Sequence, residues 1–181
     1  MVRGTRVLLH DYHHLRQITE RIIGTGIDIL DRRRMARMVA GDTACASAPD
    51  AQRLARLSRR ILSGAELDCP EFKLAASFSD LWSADMVGFL ANRWTAKEAA
   101  YKALYPYHEA RWKELSLLKG QPGQPKKPVL IFHPHSHITL HVSLSHDGPY
   151  TIASVLATSS SSPDSPGHHT ITTGRTHSVV L

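Results

Sequence analysis

The chain has 181 residues, of which 42% are hydrophobic, so it is long enough to build one domain with its own core. Its 22 lysines and arginines outnumber 16 acidic residues, and the resulting charge of +6 favours an anionic partner: a nucleic acid, a phosphorylated small molecule or an acidic protein. We expect free thiols at Cys45 and Cys69 rather than a disulfide framework or zinc knuckle, and no apolar run has the length of a membrane span or the pattern of a secretory signal.

The first strand is expected shortly after the N-terminal region. Residues 1–21 carry an excess of arginine that suits either an organelle transit segment or a basic first strand and loop. The stretch RIIGTGIDIL, residues 21–30, is rich in isoleucine and predicts a buried strand. Its two glycines lack the third small residue and the following helix of a dinucleotide-binding turn, which leaves Asp28 as the chemically notable residue. A carboxylate between two isoleucines needs a cation or hydrogen-bond donors, because burying it unpaired costs several kcal/mol.

Two patterns between residues 50 and 66 predict helices. Leu54, Leu57 and Ile61 recur three and four residues apart and form one apolar face beneath a face rich in arginine. In the following stretch SGAE, Ser63 precedes Glu66 by three residues, the spacing of a capping box in which each side chain bonds the other's backbone N–H. A second helix should therefore begin there.

A long helix is predicted over residues 89–105, where good helix formers continue without glycine or proline until Pro106. Within it, WTAKEAAYKAL places Glu98 and Lys102 one turn apart, so their side chains project together. The helix alone favours an exposed ion pair worth about 0.2–0.5 kcal/mol. The alternative is that Glu98 joins Asp28 in binding Mg²⁺ while Lys102 offsets the charge of a substrate phosphate.

The C-terminal half predicts a loop followed by a β-hairpin. Prolines and glycines in residues 119–128 indicate the loop. The stretch ITLHVSLSH alternates apolar and polar residues, DGP supplies a turn, and YTIASVLA continues, so we expect a hairpin with His146 and Asp147 at its tip. Residues 158–181, rich in Ser, Thr, Pro and Gly, are expected to form a mobile tail or a late edge hairpin.

Hydroxyl groups and histidines in this half raise two further possibilities. Ser143, Ser145 and His146 could bond phosphate oxygens, whereas a hydrolase triad is disfavoured because neighbouring strand residues face opposite ways and no nucleophile elbow is present. Four other histidines share one parity and could line one strand face as a zinc site. Exposure to solvent is favoured for that face because it lies opposite the aliphatic one: His133, His135, His137 and His141.

Taken together and in this order, four stretches resemble one family, the holo-acyl-carrier-protein synthases, which are small magnesium-dependent 4'-phosphopantetheinyl transferases. The stretches are GTGIDILDRRRM, RRILSGAELD, FLANRWTAKEAAYKAL and VSLSHDGPYTIASV. The resemblance implies an α+β fold in which a small antiparallel sheet packs against helices, in a single, unduplicated copy. It places the transferase domain at residues 22–157, between an N-terminal extension or first-strand region at 1–21 and a Ser/Pro-rich tail or edge hairpin at 158–181.

The resemblance also implies roles for individual residues. Asp28 and Glu98 would be the magnesium ligands, and together with Lys102, near the transferred phosphate, they would form the catalytic set. Glu98, directly or through a water on the metal, is the expected base for a serine proton. Arg34 and Arg37 of a basic helix would dock the acidic carrier protein. Coenzyme A would be held by Arg93, Lys97, Lys102, Ser145 and His146.

The implied reaction transfers 4'-phosphopantetheine from coenzyme A to a serine of apo acyl carrier protein, releases 3',5'-ADP and serves fatty acid biosynthesis. Phosphoryl transfer needs charge neutralisation and alignment more than a protein nucleophile, so two acids, one metal ion and several cations suffice. By resemblance we expect a homotrimer with active sites at subunit interfaces. We expect neither a nucleic-acid nor a membrane partner, and a mitochondrial or otherwise cytoplasmic location.

The chain departs from the bacterial pattern after the KAL helix, where bacterial members usually have a glycine-rich loop and this chain has YPYHEARW. Its extra loops and its tail look like those of fungal or organellar versions. The alternative function is a non-catalytic basic module that binds RNA or another polyanion, which the pI near 9.6 supports. That alternative leaves Asp28 and the KEA helix unexplained. A coenzyme A-binding relative without transfer activity is disfavoured because both acids are retained.

Overall fold

Five antiparallel strands form one sheet in the order β1-β5-β4-β3-β2. We describe them from a computed structural model, which covers residues 20–40, 51–77, 84–120 and 127–160. Residues 1–19 of the predicted transit segment, Cys45, most of the proline-rich loop and residues 161–181 of the predicted tail lie outside the described residues. Residues 158–160, which were expected to begin the tail, instead end the last strand. The strands are β1 (Glu20–Asp31), β2 (Leu115–Leu118), β3 (Val129–Phe132), β4 (Ile138–Asp147) and β5 (Tyr150–Ser160).

Helices cover one face of this sheet and build a second core beside it. They are α1 (Arg32–Ala40), α2 (Ala51–Ile61), α3 (Gly64–Asp68), α4 (Pro70–Ser77) and α5 (Ala84–Leu104), with a short 3-10 helix at Trp112–Glu114. None of these described helices combines the length and the apolarity that crossing a bilayer would require. The architecture is therefore the predicted α+β arrangement of a small antiparallel sheet packed against helices.

Helix α5 joins the two cores, which makes it the central element of the fold. Its C-terminal half packs alanines such as Ala99 and Ala103 against the sheet, whereas its N-terminal half packs Met86 and Leu90 against α1 and α2. The predicted helix is confirmed and begins earlier than expected, at Ala84, with a glycine inside it. One interior glycine costs about 1 kcal/mol, which the burial of neighbouring apolar side chains outweighs.

The helices around residue 60 also follow the sequence pattern. Leu54 and Ile61 are buried on the inner face of α2, and Leu57 packs against the same core. Ser63 caps α3: its hydroxyl accepts a bond from the Glu66 amide at 3.2 Å, and its own amide donates to the Glu66 carboxylate at 2.8 Å. The predicted capping box is therefore confirmed.

The predicted hairpin is confirmed as β4 and β5, with His146 and Asp147 at the end of β4. Ile138, Leu140 and Val142 are buried, as the alternation requires. The turn contains Gly148 at φ +50°, a backbone conformation that glycine adopts without steric cost. Sequence analysis did not predict β2 and β3, because each has four residues and neither shows a long alternating pattern.

The histidine-rich segment does not form the single strand face that shared parity allowed. Strand β3 ends at Phe132, so His133 follows it, while His135 and His137 lie in the connection to β4 and His141 is inside β4. Pro134 and the turn residues around His135 end the strand before the histidines can line one face of it. The His135 ring instead lies 4.6 Å from the ring of His108, centroid to centroid.

Strand β1 forms as predicted, but the expectation that it is buried is wrong for one of its faces. Gly26 and Leu30 are buried, whereas Ile27 and Ile29 are 65% and 59% exposed. Alternate residues of a strand point to opposite faces, and helices cover a single face of this antiparallel sheet. Ile152 of β5, which pairs with Ile29, extends the same exposed apolar face.

Candidate active site

Two glycines of β1 allow α5 to lie unusually close to the strand. A Cβ atom on Gly26 would overlap the carbonyl oxygen of Ala99, and one on Gly24 would lie 2.6 Å from the carbonyl oxygen of Ala103. Any side chain larger than hydrogen would push the helix away from the strand. The glycine pair in GTGID therefore serves the packing of a helix on a strand, and this packing brings Asp28 to the helix.

Asp28 contacts Lys102 across the junction of β1 and α5. The Lys102 ammonium donates to Asp28 Oδ1 at 3.0 Å and to the carbonyl oxygen of Ile27 at 2.8 Å. The lysine side chain is 53% exposed and the aspartate side chain 19%. The sequence suggested a pair between Lys102 and Glu98, but in the folded chain Lys102 pairs with Asp28 of β1.

Glu98 lies near Asp28 and Lys102, and the charges of these neighbours shift the pKa of its carboxyl. We call these three residues the carboxylate cluster. Burial raises the pKa of the Glu98 carboxyl, and the negative charge of Asp28 raises it further, while Lys102 and Arg34 act in the opposite direction. Two acids that oppose each other's ionisation favour a bound cation. The structure thus brings Asp28, Glu98 and Lys102 together, as the magnesium hypothesis requires.

The donor set suits a hard divalent cation. Mg²⁺ is usually held by one or two carboxylates and completes its octahedron with water and substrate phosphate oxygens rather than with a full protein cage. In the part of the chain that the structure describes, no group of three or more His, Cys, Asp or Glu side chains is placed to hold a metal ion. Asp28 and Glu98 offer the two-carboxylate arrangement that Mg²⁺ accepts.

Lys97 contradicts the expectation that it supports the phosphate region. Its side chain is fully buried, and its ammonium donates to Glu66 Oε2 at 2.6 Å and to the carbonyl oxygens of Ile61 and Trp112 at 2.6 and 2.8 Å. Burial lowers the pKa of Lys97, and Glu66 opposes that shift. Successive helix residues are rotated by about 100°, so Lys97 points into the helical core while its neighbour Glu98 points towards β1.

A cavity of about 710 Å³ lies between the N-terminal half of α5, β2 and β4. This volume is typical of a site for a small organic ligand. Arg93 is 6% exposed and places its guanidinium 3.2 Å from the centre of the Phe89 ring while donating to the Phe89 carbonyl oxygen at 3.3 Å. Basic side chains outnumber acidic ones in the cavity lining, with Glu71 and Asp85 set against five others: Arg32, Arg93, Lys119, Lys127 and His146.

Among the other predicted ligands of coenzyme A, His146 lines the cavity and Ser145 does not. The His146 ring is held by Thr151, with Nδ1 3.2 Å from Oγ1. Ser145 is exposed on β4, whereas Ser143, two residues earlier on the same face, is part of the lining. Sequence analysis considered Ser143 as a phosphate ligand, but nothing in the alternation separates it from Ser145.

The cavity and the carboxylate cluster are separate within one chain. Asp28, Glu98 and Lys102 are not among the cavity-lining residues, which begin at Arg32 on the β1 side. Asp28 and Arg32 are four residues apart, about 13 Å along an extended chain. The fold therefore presents two partial sites rather than one complete one.

The predicted docking residues lie on α1. Arg34 and Arg37 are exposed and three residues apart, so they share one face of the helix. Arg34 lies close enough to Glu98 to favour ionisation of its carboxyl. Arg33 is instead paired with Asp31 at 2.8 Å.

Sequence analysis missed the structural role of two polar residues near the site. Glu66 is fully buried, and besides its cap it accepts bonds from Lys97 and from the Leu117 amide at 2.9 Å. The Tyr101 hydroxyl is buried, has no hydrogen-bond partner among the residues that the structure describes, and belongs to a ring that meets Trp112 edge-on. Position three residues after Glu98 was the only signal that marked Tyr101.

Comparison with known proteins places this arrangement in a family. Residues 24–155 match the model of the ACPS group of the 4'-phosphopantetheinyl transferase superfamily. The holo-[acyl-carrier-protein] synthase of Bacillus velezensis is 35% identical over 137 residues, which are 75% of this chain and 94% of that protein. The synthase of Bacillus subtilis is 31% identical with the same coverage of both chains.

Solved structures agree in fold. A holo-(acyl-carrier-protein) synthase from Bacillus anthracis in complex with CoA (3',5'-ADP) aligns with a TM-score of 0.55 and 25% identity over 77% of this chain and 98% of that one. The holo-ACP synthase of Plasmodium yoelii aligns with a TM-score of 0.54 and 17% identity over 78% and 98%, which concerns the fold alone. The chain therefore belongs to the 4'-phosphopantetheinyl transferase superfamily.

Proposed function

We propose that this chain transfers the 4'-phosphopantetheine arm of coenzyme A to a serine of an apo acyl carrier protein and releases 3',5'-ADP, in support of fatty acid synthesis. The observation that carries the proposal is the meeting of Asp28 from β1 with Glu98 and Lys102 from α5. Family membership supports it, since the relatives are named holo-[acyl-carrier-protein] synthases and one solved neighbour contains CoA (3',5'-ADP). An RNA-binding module would need basic residues but no acidic pair.

In this proposal Asp28 and Glu98 hold Mg²⁺, which when bound offsets the negative charge that develops on the transferred phosphate. Glu98, directly or through a water on the metal, accepts the proton of the carrier serine. Lys102 supplies a positive charge to the substrate phosphate from its half-exposed position. Because this chemistry depends on alignment and charge, no protein nucleophile is required.

The basic cavity is the proposed site for coenzyme A. Its volume suits an organic ligand of that class, and its arginine, lysine and histidine side chains suit the phosphate groups of an anion. Arg93 is held in place by its stacking on Phe89 and its ion pair with Glu66, so its position in the cavity lining is fixed before a ligand binds. Arg34 and Arg37 on α1 are the proposed contacts for the acidic carrier protein.

The separation of the two partial sites supports a homotrimer with active sites at subunit interfaces. If the carboxylates of one subunit face the cavity of the next, a complete site forms between copies. The exposed isoleucines of the sheet face offer an apolar surface for that contact: Ile27, Ile29 and Ile152.

A mitochondrial location is also proposed, on the basis of the arginine excess in residues 1–21, which lie largely outside the described structure. The measurement is subcellular fractionation of the full-length protein in its source cells. Recovery from the cytosolic fraction alone would contradict the mitochondrial location without affecting the proposed activity.

The central experiment mixes the protein with Mg²⁺, coenzyme A and several apo acyl carrier proteins and weighs the carriers by mass spectrometry. We expect a mass increase equal to one phosphopantetheine arm, its loss when EDTA removes divalent cations, and its return with added Mg²⁺. Unmodified carriers under all conditions would defeat the proposed function.

Glu98→Gln tests the role of the acid on α5. We expect transfer to fall by at least about 100-fold, as the loss of a general base predicts, while the circular dichroism spectrum stays unchanged. Turnover at the wild-type rate would remove Glu98 from the reaction.

A further inference from the structure

Lys102 occupies the position at Asp28 that an incoming cation would need. Its ammonium bonds Asp28 Oδ1 at 3.0 Å and the Ile27 carbonyl oxygen at 2.8 Å, so two oxygen atoms of β1 already surround one positive charge. It also acts on Glu98, whose carboxyl it favours in the ionised form. Without this charge, Asp28 and Glu98 would repel each other across the junction of β1 and α5.

The surroundings of Lys102 allow it to leave this position. Half of its side chain is exposed, so its ammonium regains hydration when it leaves Asp28, and the exposed ion pair that it gives up contributes little. Lys97 on the same helix provides the contrast, because its ammonium is enclosed by three oxygen acceptors and its side chain is fully buried. One lysine of α5 is thus enclosed by acceptors, while the other makes a pair that solvent can replace.

We propose that Lys102 is an internal counter-ion of the divalent site: it neutralises the acidic pair in the free enzyme and yields Asp28 to a divalent cation when one binds. Released from Asp28, its ammonium is free to contact the substrate phosphate. This inference rests on the proposed function, since it assigns an order to the events at the same site. It makes cation binding a competition between a side chain and an ion.

Competition between Lys102 and the cation for Asp28 predicts a result that differs from that expected for a lysine that only contacts phosphate. Removing the Lys102 charge should tighten the binding of a divalent cation and at the same time weaken transfer. A lysine that only contacts phosphate would leave cation affinity unchanged in the absence of coenzyme A. Cation affinity should therefore rise while transfer falls only if Lys102 competes with the cation for Asp28.

The experiment measures Mn²⁺ binding to the full-length protein without coenzyme A, by electron paramagnetic resonance of the free ion, with Mg²⁺ titration calorimetry as a second assay. We expect Lys102→Met to lower the dissociation constant by about fivefold or more, the effect of one unit charge about 4 Å away at a hydrated site. Lys102→Arg keeps the charge and should bind Mn²⁺ about as weakly as the wild type. Transfer by Lys102→Met should fall despite the tighter binding.

The matched control is Lys73→Met, which removes the same charge from an exposed pair with Asp68 at 3.7 Å, outside both partial sites. Its Mn²⁺ affinity should change by less than about twofold, because a screened charge far from the ion contributes little. Equal tightening in both variants would trace the effect to net charge and overturn the proposal. Unchanged or weaker Mn²⁺ binding in Lys102→Met would also overturn it.

Asp28→Asn separates this inference from the proposed function. If the wild type binds Mn²⁺ and Asp28→Asn does not, while Lys102→Met shows no tightening, the acidic site stands and the counter-ion role of Lys102 fails. If Asp28→Asn binds Mn²⁺ as well as the wild type does, the cation site itself is elsewhere and both ideas about Asp28 fail. Carrier modification, measured separately, decides the transferase proposal.

Discussion

Lys97 and Lys102 carry the same charge on the same helix, yet the fold gives them different chemistry. Lys97 joins α5 to the end of α2, to Glu66 of α3 and to the 3-10 helix through three short hydrogen bonds. Lys102 reaches β1, remains half exposed and pairs with an acid of the candidate active site. Lys97 fixes the rotation of α5, and this rotation directs Glu98 towards Asp28.

Lys97→Met is expected to destabilise the protein by about 3 kcal/mol, the lower end of the range for breaking a buried ion pair. The fully buried Glu66 carboxylate loses the cation at 2.6 Å but keeps the more distant Arg93 at 3.7 Å. The measurement is chemical denaturation followed by circular dichroism. Lys73→Met, which breaks an exposed pair, should cost no more than about 1 kcal/mol. Equal stability losses in the two variants would contradict the structural role of Lys97.

His108 supplies a prediction about pH. Burial lowers the pKa of its imidazole, and the neighbouring His135 and His137 lower it further. The folded protein therefore binds this proton less readily than the unfolded chain, whose histidine pKa is about 6.5. The stabilising contribution of neutral His108 is complete above that pH and declines as the pH falls from it towards the lower folded pKa.

NMR titration of the His108 ring protons should give a midpoint below the ordinary histidine value. His135→Gln removes the adjacent imidazole, whose ring centre lies 4.6 Å away, and should move that midpoint upward. A midpoint at or above about 6.5 in the wild type would show that neither burial nor the neighbouring rings disfavour the charge.

At the scale of elements, the site depends on how closely one strand and one helix approach. The alanines of α5 and the glycines of β1 are small residues on facing surfaces, and they remove the side-chain layer that normally separates a helix from a sheet. Asp28 follows Gly26 by two residues and shares its face, so the same contact brings the carboxylate to Glu98 and Lys102. Packing and site geometry therefore have one structural cause.

Gly26→Ala should damage stability and transfer together. The added methyl group would collide with the Ala99 carbonyl and the Lys102 stem, and such overpacking costs about 1–3 kcal/mol. The measurements are thermal denaturation and carrier modification at a temperature where the variant remains folded. Gly64→Ala is the control, since no atom of the described residues outside its own helix backbone and chain neighbours lies within 4 Å of the added Cβ. Full activity in Gly26→Ala would show that close approach is dispensable.

At the scale of the whole molecule, two features of the described residues are left open in a single chain. An apolar sheet face is exposed at Ile27, Ile29 and Ile152, and the carboxylate cluster is separate from the basic cavity. Association of copies would cover the apolar sheet face and bring the carboxylate cluster of one copy to the basic cavity of another. The proposed trimer accounts for both with a single contact.

Ile29→Glu should dissociate the assembly without unfolding the subunit, because residue 29 is 59% exposed in one chain and a charge there is costly only once it is covered. Size-exclusion chromatography with light scattering measures the mass, and carrier modification should fall with it. Tyr107→Glu, at a side chain 66% exposed in the loop after α5, should leave the mass unchanged. A monomeric wild type that transfers phosphopantetheine would contradict the interface site.

The sequence by itself was sufficient to predict most elements and the acidic pair. Periodicity identified α2 and the β4–β5 hairpin, an isoleucine-rich run indicated β1, and a run of helix formers ending at Pro106 indicated α5. Ser63 with Glu66 marked the start of α3. All of these signals act between residues a few positions apart. The family resemblance then connected Asp28 with Glu98. Strands β2 and β3 were missed because four residues are too few to show a period.

Only the tertiary structure decided which charges meet and which surfaces are covered. Lys97 bonds a carbonyl group 36 residues away and Lys102 an aspartate 74 residues away, and no local pattern distinguishes the buried lysine from the exposed one. The same holds for β1, whose isoleucines indicate a strand while the position of α5 determines which of its faces is buried. Burial and ion pairing are properties of distant contacts, and those contacts exist only after the chain has folded.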